Sequence, residues 1–321
     1  MHGKDIKKVN RVIVIVGPTA SGKTALSIEL AKKINGEIVS CDSMQIYRDM
    51  NIGSAKPTPE EMQGIKHYMI DVVNPNERFS VAEYKEKAED AIEEILKKGK
   101  IPIVVGGTGL YADSLIKGIE YTKTDFDEAY RKELERQAET VQGLKNLYDR
   151  AKEIDEQAIK KININDKKRI LRVLEMYHQT GKTKTELEIE SRKNGVKYDY
   201  KVFALNMDRQ LLYDRINRRV DIMLKDGLIQ EVKALIENYK QFPTAMQGLG
   251  YKEVVQFFNG ELTEDEMVEK IKQETRRYAK RQLGWFRRYN EIIWLDGNEA
   301  INKNINRILE EIKLKKSNIE R

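Results

Sequence analysis

Three side chains near the start of the chain are suited to chemistry: Lys23, Thr24 and Asp42. Lys23 and Thr24 close the run Gly17-Pro18-Thr19-Ala20-Ser21-Gly22-Lys23-Thr24, a G-x-x-x-x-G-K-[ST] pattern. Such a run holds phosphate by physical means. Glycines let the backbone curl so that successive N–H groups point at one anion, and the following helix adds its positive N-terminal dipole. Lys23 then reaches a terminal phosphate, and the Thr24 hydroxyl suits a Mg²⁺ bridging two phosphates. The setting agrees: the apolar run Val12-Ile13-Val14-Ile15-Val16 precedes the loop, and residues 25–33 carry helical apolar spacing after it. These residues predict binding of a di- or triphosphate. They leave open an NTPase, a small-molecule kinase or an enzyme that expels diphosphate.

The elements that must position these groups are those of an open parallel sheet. Glu37-Ile38-Val39-Ser40-Cys41 reads as a strand ending at Asp42-Ser43-Met44-Gln45. Ligands in such sheets sit beyond the carboxyl ends of the strands, so Asp42 is expected to share a hollow with the loop, either as a reacting carboxylate or as a turn residue. His67-Tyr68-Met69-Ile70-Asp71 reads as a second short strand, with Asp71 as a loop acid or a metal-facing one. Ile101-Pro102-Ile103-Val104-Val105 is uniformly apolar, as a strand buried on both faces should be, and runs into the elbow Gly106-Gly107-Thr108-Gly109. Capping boxes at Thr58/Glu61, Ser80/Glu83 and Thr263/Glu266 mark helix starts.

From about residue 120 to 197 the β-rich runs stop, and helical periodicity appears at 130–142, 144–153 and 167–178. This predicts an all-helical insertion (120–197) in a sheet domain built from 1–119 and 198–321. Within it, Lys168, Arg169 and Arg172 cluster at a helix start, as a solvated turn or a binding patch. After the returning strand at 201–207 comes a helix with Arg209, Arg215, Arg218 and Arg219. An arginine aimed from it at the phosphate loop would steady a leaving diphosphate. A later helix holds six bases and no acid between Arg276 and Arg288, with Tyr278, Trp285 and Phe286 interleaved. Cations with stacking rings suit a nucleic-acid strand; the same pattern also fits a solvated face over aromatic anchors.

Composition narrows the class. Charged residues are 34% and aromatics 7% of 321, so the chain is helix-rich with a full core. Lys and Arg exceed Asp and Glu by 58 to 52, a mild excess that permits a nucleic-acid partner. One cysteine, Cys41, excludes a disulfide framework, and three scattered histidines give no metal-ligand spacing. No apolar run approaches the ~18 residues a membrane span needs, and the basic N-terminus lacks a signal-peptide core. A cytoplasmic protein acting as a monomer is the expectation.

Taken jointly, four stretches resemble the tRNA dimethylallyltransferase (tRNA isopentenyltransferase) family. They are residues 17–24, Asp42-Ser43-Met44-Gln45-Ile46-Tyr47, Val105-Gly106-Gly107-Thr108-Gly109-Leu110-Tyr111, and Thr275-Arg276-Arg277-Tyr278-Ala279-Lys280-Arg281-Gln282. Residues 215–223 and 248–253 extend the resemblance over nearly the whole chain, with Gly248-Leu249-Gly250 where the family more often has Ala-Ile-Gly. The resemblance implies an α/β fold with a P-loop NTPase-like core, a parallel sheet flanked by helices and the helical insertion. It further implies transfer of a dimethylallyl group from dimethylallyl diphosphate to N6 of an adenosine beside the tRNA anticodon, with Mg²⁺ as cofactor and release of diphosphate. By the same resemblance Asp42 matches the general base, Thr24 a Mg²⁺ and diphosphate contact, and Arg219 the arginine on the diphosphate. Contacts to the anticodon stem-loop fall to Asp42, Ser43, Met44, Gln45, Thr108, Arg131, Lys168, Arg169, Arg172, Arg277, Lys280 and Arg281. Two other readings compete: the same transfer to AMP or ADP, and a P-loop small-molecule kinase with Asp71 on Mg²⁺. The long basic helix argues against both.

Overall fold

The structure, a computed structural model, describes residues 10–119, 121, 127–191 and 195–317. Six strands, β1 (Arg11–Val16), β2 (Gly36–Ser40), β3 (His67–Tyr68), β4 (Ile101–Gly106), β5 (Asp199–Asn206) and β6 (Ile293–Asp296), form one parallel sheet in the order β3-β2-β4-β1-β5-β6. Both faces are covered, which explains the unbroken apolar strands. On one face Ile13, Ile15, Ile103 and Phe203 pack with Leu26 and Leu30 of α1 (Lys23–Ile34). On the other, Val12, Val14, Val39 and Val104 meet Tyr84 and Ile92, and Tyr111 and Leu115 join the same core. Those side chains come from two helices that follow α2 (Pro59–Met62): α3 (Val81–Lys97) and α4 (Gly109–Ile116).

Register decides where the site lies. Val16 stands opposite Gly106 of β4, and Ser40 of β2 stands opposite Val105. The chain therefore leaves β1, β2 and β4 at one level, and Gly17, Asp42 and Gly107 emerge along the same edge.

The described residues divide into two compact units, residues 1–116 with 197–321, and residues 117–196. The second is all helix: α5 (Glu128–Gln137), α6 (Val141–Ile154), α7 (Glu156–Ile159), α8 (Lys167–Thr180) and α9 (Lys184–Glu190). Its own core holds Leu134, Leu147, Ile170 and Leu174. The periodicity read as one helix over 130–142 is broken at Thr140, whose Oγ1 accepts from the Gly143 amide at 3.0 Å and starts α6. A local hydroxyl cap thus outcompetes helix continuation.

The first unit also contains α10 (Arg209–Lys225), α11 (Leu228–Asn238), α12 (Tyr251–Phe258), α13 (Glu264–Phe286) and α14 (Ile301–Ser317). All three capping boxes form with both legs, at Thr58, Ser80 and Thr263. The strand read over 67–71 stops at Tyr68, because Met69 and Asp71 take left-handed backbone (φ 62° and 54°). Asp71 there pairs with Lys56 at 2.6 Å.

Candidate active site

The phosphate-binding pattern forms a tight loop between β1 and α1. Gly17 has φ 145°, and a Cβ there would stand 2.8 Å from the Leu205 carbonyl oxygen, so the first loop position admits only glycine. Gly22 sits at φ 92° and starts α1 without a side-chain cap, which leaves the first-turn N–H groups for an anion. Lys23 is half-buried and donates to the Pro18 carbonyl at 2.6 Å, folding over the loop. Loss of water around its ammonium pulls its pKa down to about 7, with Asp42 opposing and Arg219 reinforcing that fall. Thr24 lines the adjoining cavity, and the buried Ser21 Oγ has no hydrogen-bond partner.

Beyond β2, Asp42 Oδ1 accepts from the Met44 amide at 2.8 Å, an Asx turn that fixes the carboxylate at the cavity wall. The Ser43 amide donates to Thr108 Oγ1 at 3.0 Å, and the Thr108 amide to the Cys41 carbonyl at 3.2 Å. Gln45 Oε1 accepts from Ser40 Oγ at 2.9 Å while its Nε2 donates to the Ala55 carbonyl at 3.2 Å. The elbow after β4 needs its glycines for close approach: a Cβ on Gly107 would meet Gln282 Nε2 at 2.1 Å, and one on Gly109 would meet the Trp285 ring at 2.4 Å.

Two helices close the cavity. On α10, Arg219 lines it, whereas Arg215 and Arg218 are exposed and outside its lining. Burial lowers the Arg219 pKa and the Asp42 charge raises it, so the guanidinium and the carboxylate act on each other across this space. On α13, Tyr278 and Gln282 face inward; burial, then Asp42, push the Tyr278 hydroxyl up to about 12. Arg277, Lys280 and Arg281 are exposed, with Arg281 lying 5.7 Å from the Tyr278 ring centre. The cavity measures about 390 Å³. Two of the aromatic residues of α13 are core anchors, Phe286 being fully buried and Trp285 packing against the same core, whereas Tyr278 faces the cavity. Gly250, at φ 88°, starts α12, and a Cβ on Gly248 would press on the tip of Met44, 2.4 Å away, so the departure from Ala at 248 makes room for that side chain.

In the helical unit, Lys168, Arg169 and Arg172 are exposed on the first turns of α8. Arg169 lies 3.3 Å from Asp166 and Arg172 3.8 Å from Glu175. Arg131 is held by Glu135 at 2.7 Å and by the buried Glu175 at 3.0 Å.

The family model described as IPP transferase matches residues 45–289. The chain belongs to the IPP transferase family. This IPP transferase is 51% identical over 303 residues to the tRNA dimethylallyltransferase of Acetivibrio thermocellus, covering 92% of this chain and 96% of the relative. It is 49% identical over 290 residues to that of Bacillus cytotoxicus, covering 90% and 91%. Among solved structures it resembles the full-length tRNA isopentenylpyrophosphate transferase of Bacillus halodurans, with TM-score 0.72, 40% identity and coverage of 97% and 99%. It also resembles a eukaryotic dimethylallyltransferase captured acting on tRNA, with TM-score 0.77, 32% identity and coverage of 97% and 80%. The fold is the P-loop-like α/β core that the sequence predicts. Reading the chain for chemistry left Gln282 and Tyr278 without a place in the cavity wall. Their i, i+4 spacing on α13, on a face that Arg281 shares at i+3 from Tyr278 and that Arg277 and Lys280 do not, is the signal that could have found them.

Proposed function

We propose that this IPP transferase moves the dimethylallyl group of dimethylallyl diphosphate to N6 of an adenosine beside the anticodon of tRNA and releases diphosphate. The observation that carries the reading is one cavity shared by Lys23, Thr24, Asp42 and Arg219, with exposed cations on the helix that walls it. In the reaction the C–O bond to diphosphate breaks, the N6–carbon bond forms, and the N6 proton passes to Asp42. The loop 17–24 cradles the diphosphate with the N–H groups at the start of α1, and Lys23 and Arg219 oppose the charge that builds on it as it leaves. The N6 lone pair is delocalised into the ring, so a carboxylate that takes its proton during bond formation restores nucleophilicity. The Met44 amide occupies Asp42 Oδ1, which leaves Oδ2 for that proton.

Magnesium belongs to the same proposal. Thr24 lines the cavity on the first turn of α1, and a hydroxyl, a hard oxygen donor beside a diphosphate, suits this ion. Thr24 would hold it, and when bound it would neutralise charge on the departing diphosphate.

The adenosine leaves its stack to enter the cavity, as loop bases can. Ser43, Met44, Gln45 and Thr108 would line its path, Arg277, Lys280 and Arg281 would grip the stem, and Arg131, Lys168, Arg169 and Arg172 would carry contacts from the helical unit. The protein acts in this reading as a cytoplasmic monomer; among the described residues no helix is long and apolar enough to cross a membrane. The kinase alternative loses its support, because Asp71 pairs with Lys56 and is not among the cavity-lining residues.

The test is transfer of labelled dimethylallyl diphosphate, with Mg²⁺, to unmodified tRNA, beside reactions with AMP or ADP and an Asp42→Ala control. Label in tRNA that disappears with Asp42→Ala is expected. Label in the mononucleotide would overturn the acceptor.

A further inference from the structure

The Thr19 amide sits in the middle of the phosphate loop, yet the loop does not satisfy it. It donates at 2.8 Å to Oε1 of Gln282, which reaches it from α13 across 263 residues of chain. The other end of the same carboxamide, Nε2, donates to the Gly107 carbonyl at 3.0 Å. Gln282 is 5% exposed, and both of its polar atoms are thus matched. Room for it exists because Gly107 has no Cβ; one there would lie 2.1 Å from Nε2. A single side chain therefore ties the loop after β1 to the elbow after β4. Thr19 itself lines the cavity, so the bond acts on the segment that faces the ligand.

From this we infer that Gln282 is a positioning residue that holds the phosphate loop in its diphosphate-receiving conformation, an inference that rests on the reading of residues 17–24 as the diphosphate cradle. An apolar residue of similar length leaves the Thr19 N–H and the Gly107 carbonyl without partners in a buried place. The loop then regains polar contact by turning its amide toward water, and the cradle is no longer preformed. A glutamate keeps the acceptor for Thr19 but sets an oxygen against the Gly107 carbonyl, unless its carboxyl is protonated and donates as the amide does.

The test uses the full chain without tRNA, titrated calorimetrically with inorganic diphosphate and Mg²⁺, for the wild type, Gln282→Met and Gln282→Glu. Circular dichroism melts establish that each variant is folded. Gln282→Met is expected to bind diphosphate about tenfold more weakly, the size of one or two hydrogen bonds. Gln282→Glu is expected to be weak at about pH 8 and to recover toward wild type at about pH 5.5, as a desolvated carboxyl regains its proton. A filler with no influence on the loop would produce no such recovery. Folded variants that bind diphosphate as the wild type does, at both pH values, would overturn the inference. Failure of the wild type itself to bind diphosphate would instead overturn the reading of the loop, and transfer to tRNA is scored separately.

Discussion

The Ser43 amide donates to Thr108 Oγ1 at 3.0 Å, so the residue next to Asp42 is fastened to the elbow after β4. Asp42 owes its place to this bond and to its own turn with Met44. Thr108→Val removes the acceptor and keeps the shape. Transfer to tRNA should slow by about tenfold, because reacting groups lose alignment. Thr108→Ser should restore the rate in the same steady-state assay, and a Val variant as fast as wild type would show that the bond does not position Asp42.

Asp42→Asn preserves the turn to Met44 and removes the proton acceptor. The single-turnover rate should fall by about 10²- to 10⁴-fold, the range for general-base catalysis, while diphosphate binding persists. A loss of binding in place of rate would assign Asp42 to ligand affinity.

Lys23 yields a pH prediction. Burial lowers its pKa from 10.5 to about 7, so at pH 8 a large share of the folded protein carries it neutral, whereas the unfolded chain carries it charged. Its contribution to stability is therefore full above the unfolded value and lost as pH falls through that window toward 7. A bound diphosphate reverses the balance by favouring the ammonium. Binding at pH 8 should take up a proton, read from calorimetry in buffers of different ionisation enthalpy, and Lys23→Arg should abolish that uptake, since arginine stays charged.

The exposed cations of α13 should appear in the salt dependence of tRNA binding. Alanine at both Lys280 and Arg281 should reduce the slope of log affinity against log salt by about 1.5, the loss of two phosphate contacts. An unchanged slope would remove these residues from the interface.

Arg131 offers a separation of roles. It faces the buried Glu175, so Arg131→Ala leaves a buried carboxylate whose remaining cation among the described residues is Arg172, at 3.8 Å. The helical unit should lose about 3 kcal/mol, seen as a lower melting transition. If tRNA affinity falls while the melt is unchanged, Arg131 serves the nucleic acid instead.

How much could be read in advance follows from the range of the forces involved. The loop at 17–24, the apolar strands, the three capping boxes and the basic run of α13 are local patterns, each set by backbone sterics, periodicity or neighbouring side chains, and all were legible in the chain as written. Local effects also explain two boundaries that differ from the sequence reading, since the Thr140 hydroxyl caps a new helix and left-handed backbone at Met69 ends β3. Other features needed the folded chain. The family resemblance already singled out Arg219, but the physical reason that it and not Arg215 or Arg218 enters the cavity is packing, which rotates α10 to bury Ile216 and Val220. Trp285 and Phe286 turn inward because the elbow glycine at 109 admits a ring and the core takes the other. Gln282 reaches Thr19 across 263 residues, a contact that no spacing rule encodes. The sequence by itself determined which chemistry the side chains could perform; tertiary packing decided which of several equivalent residues perform it, because only close approach in space distinguishes them.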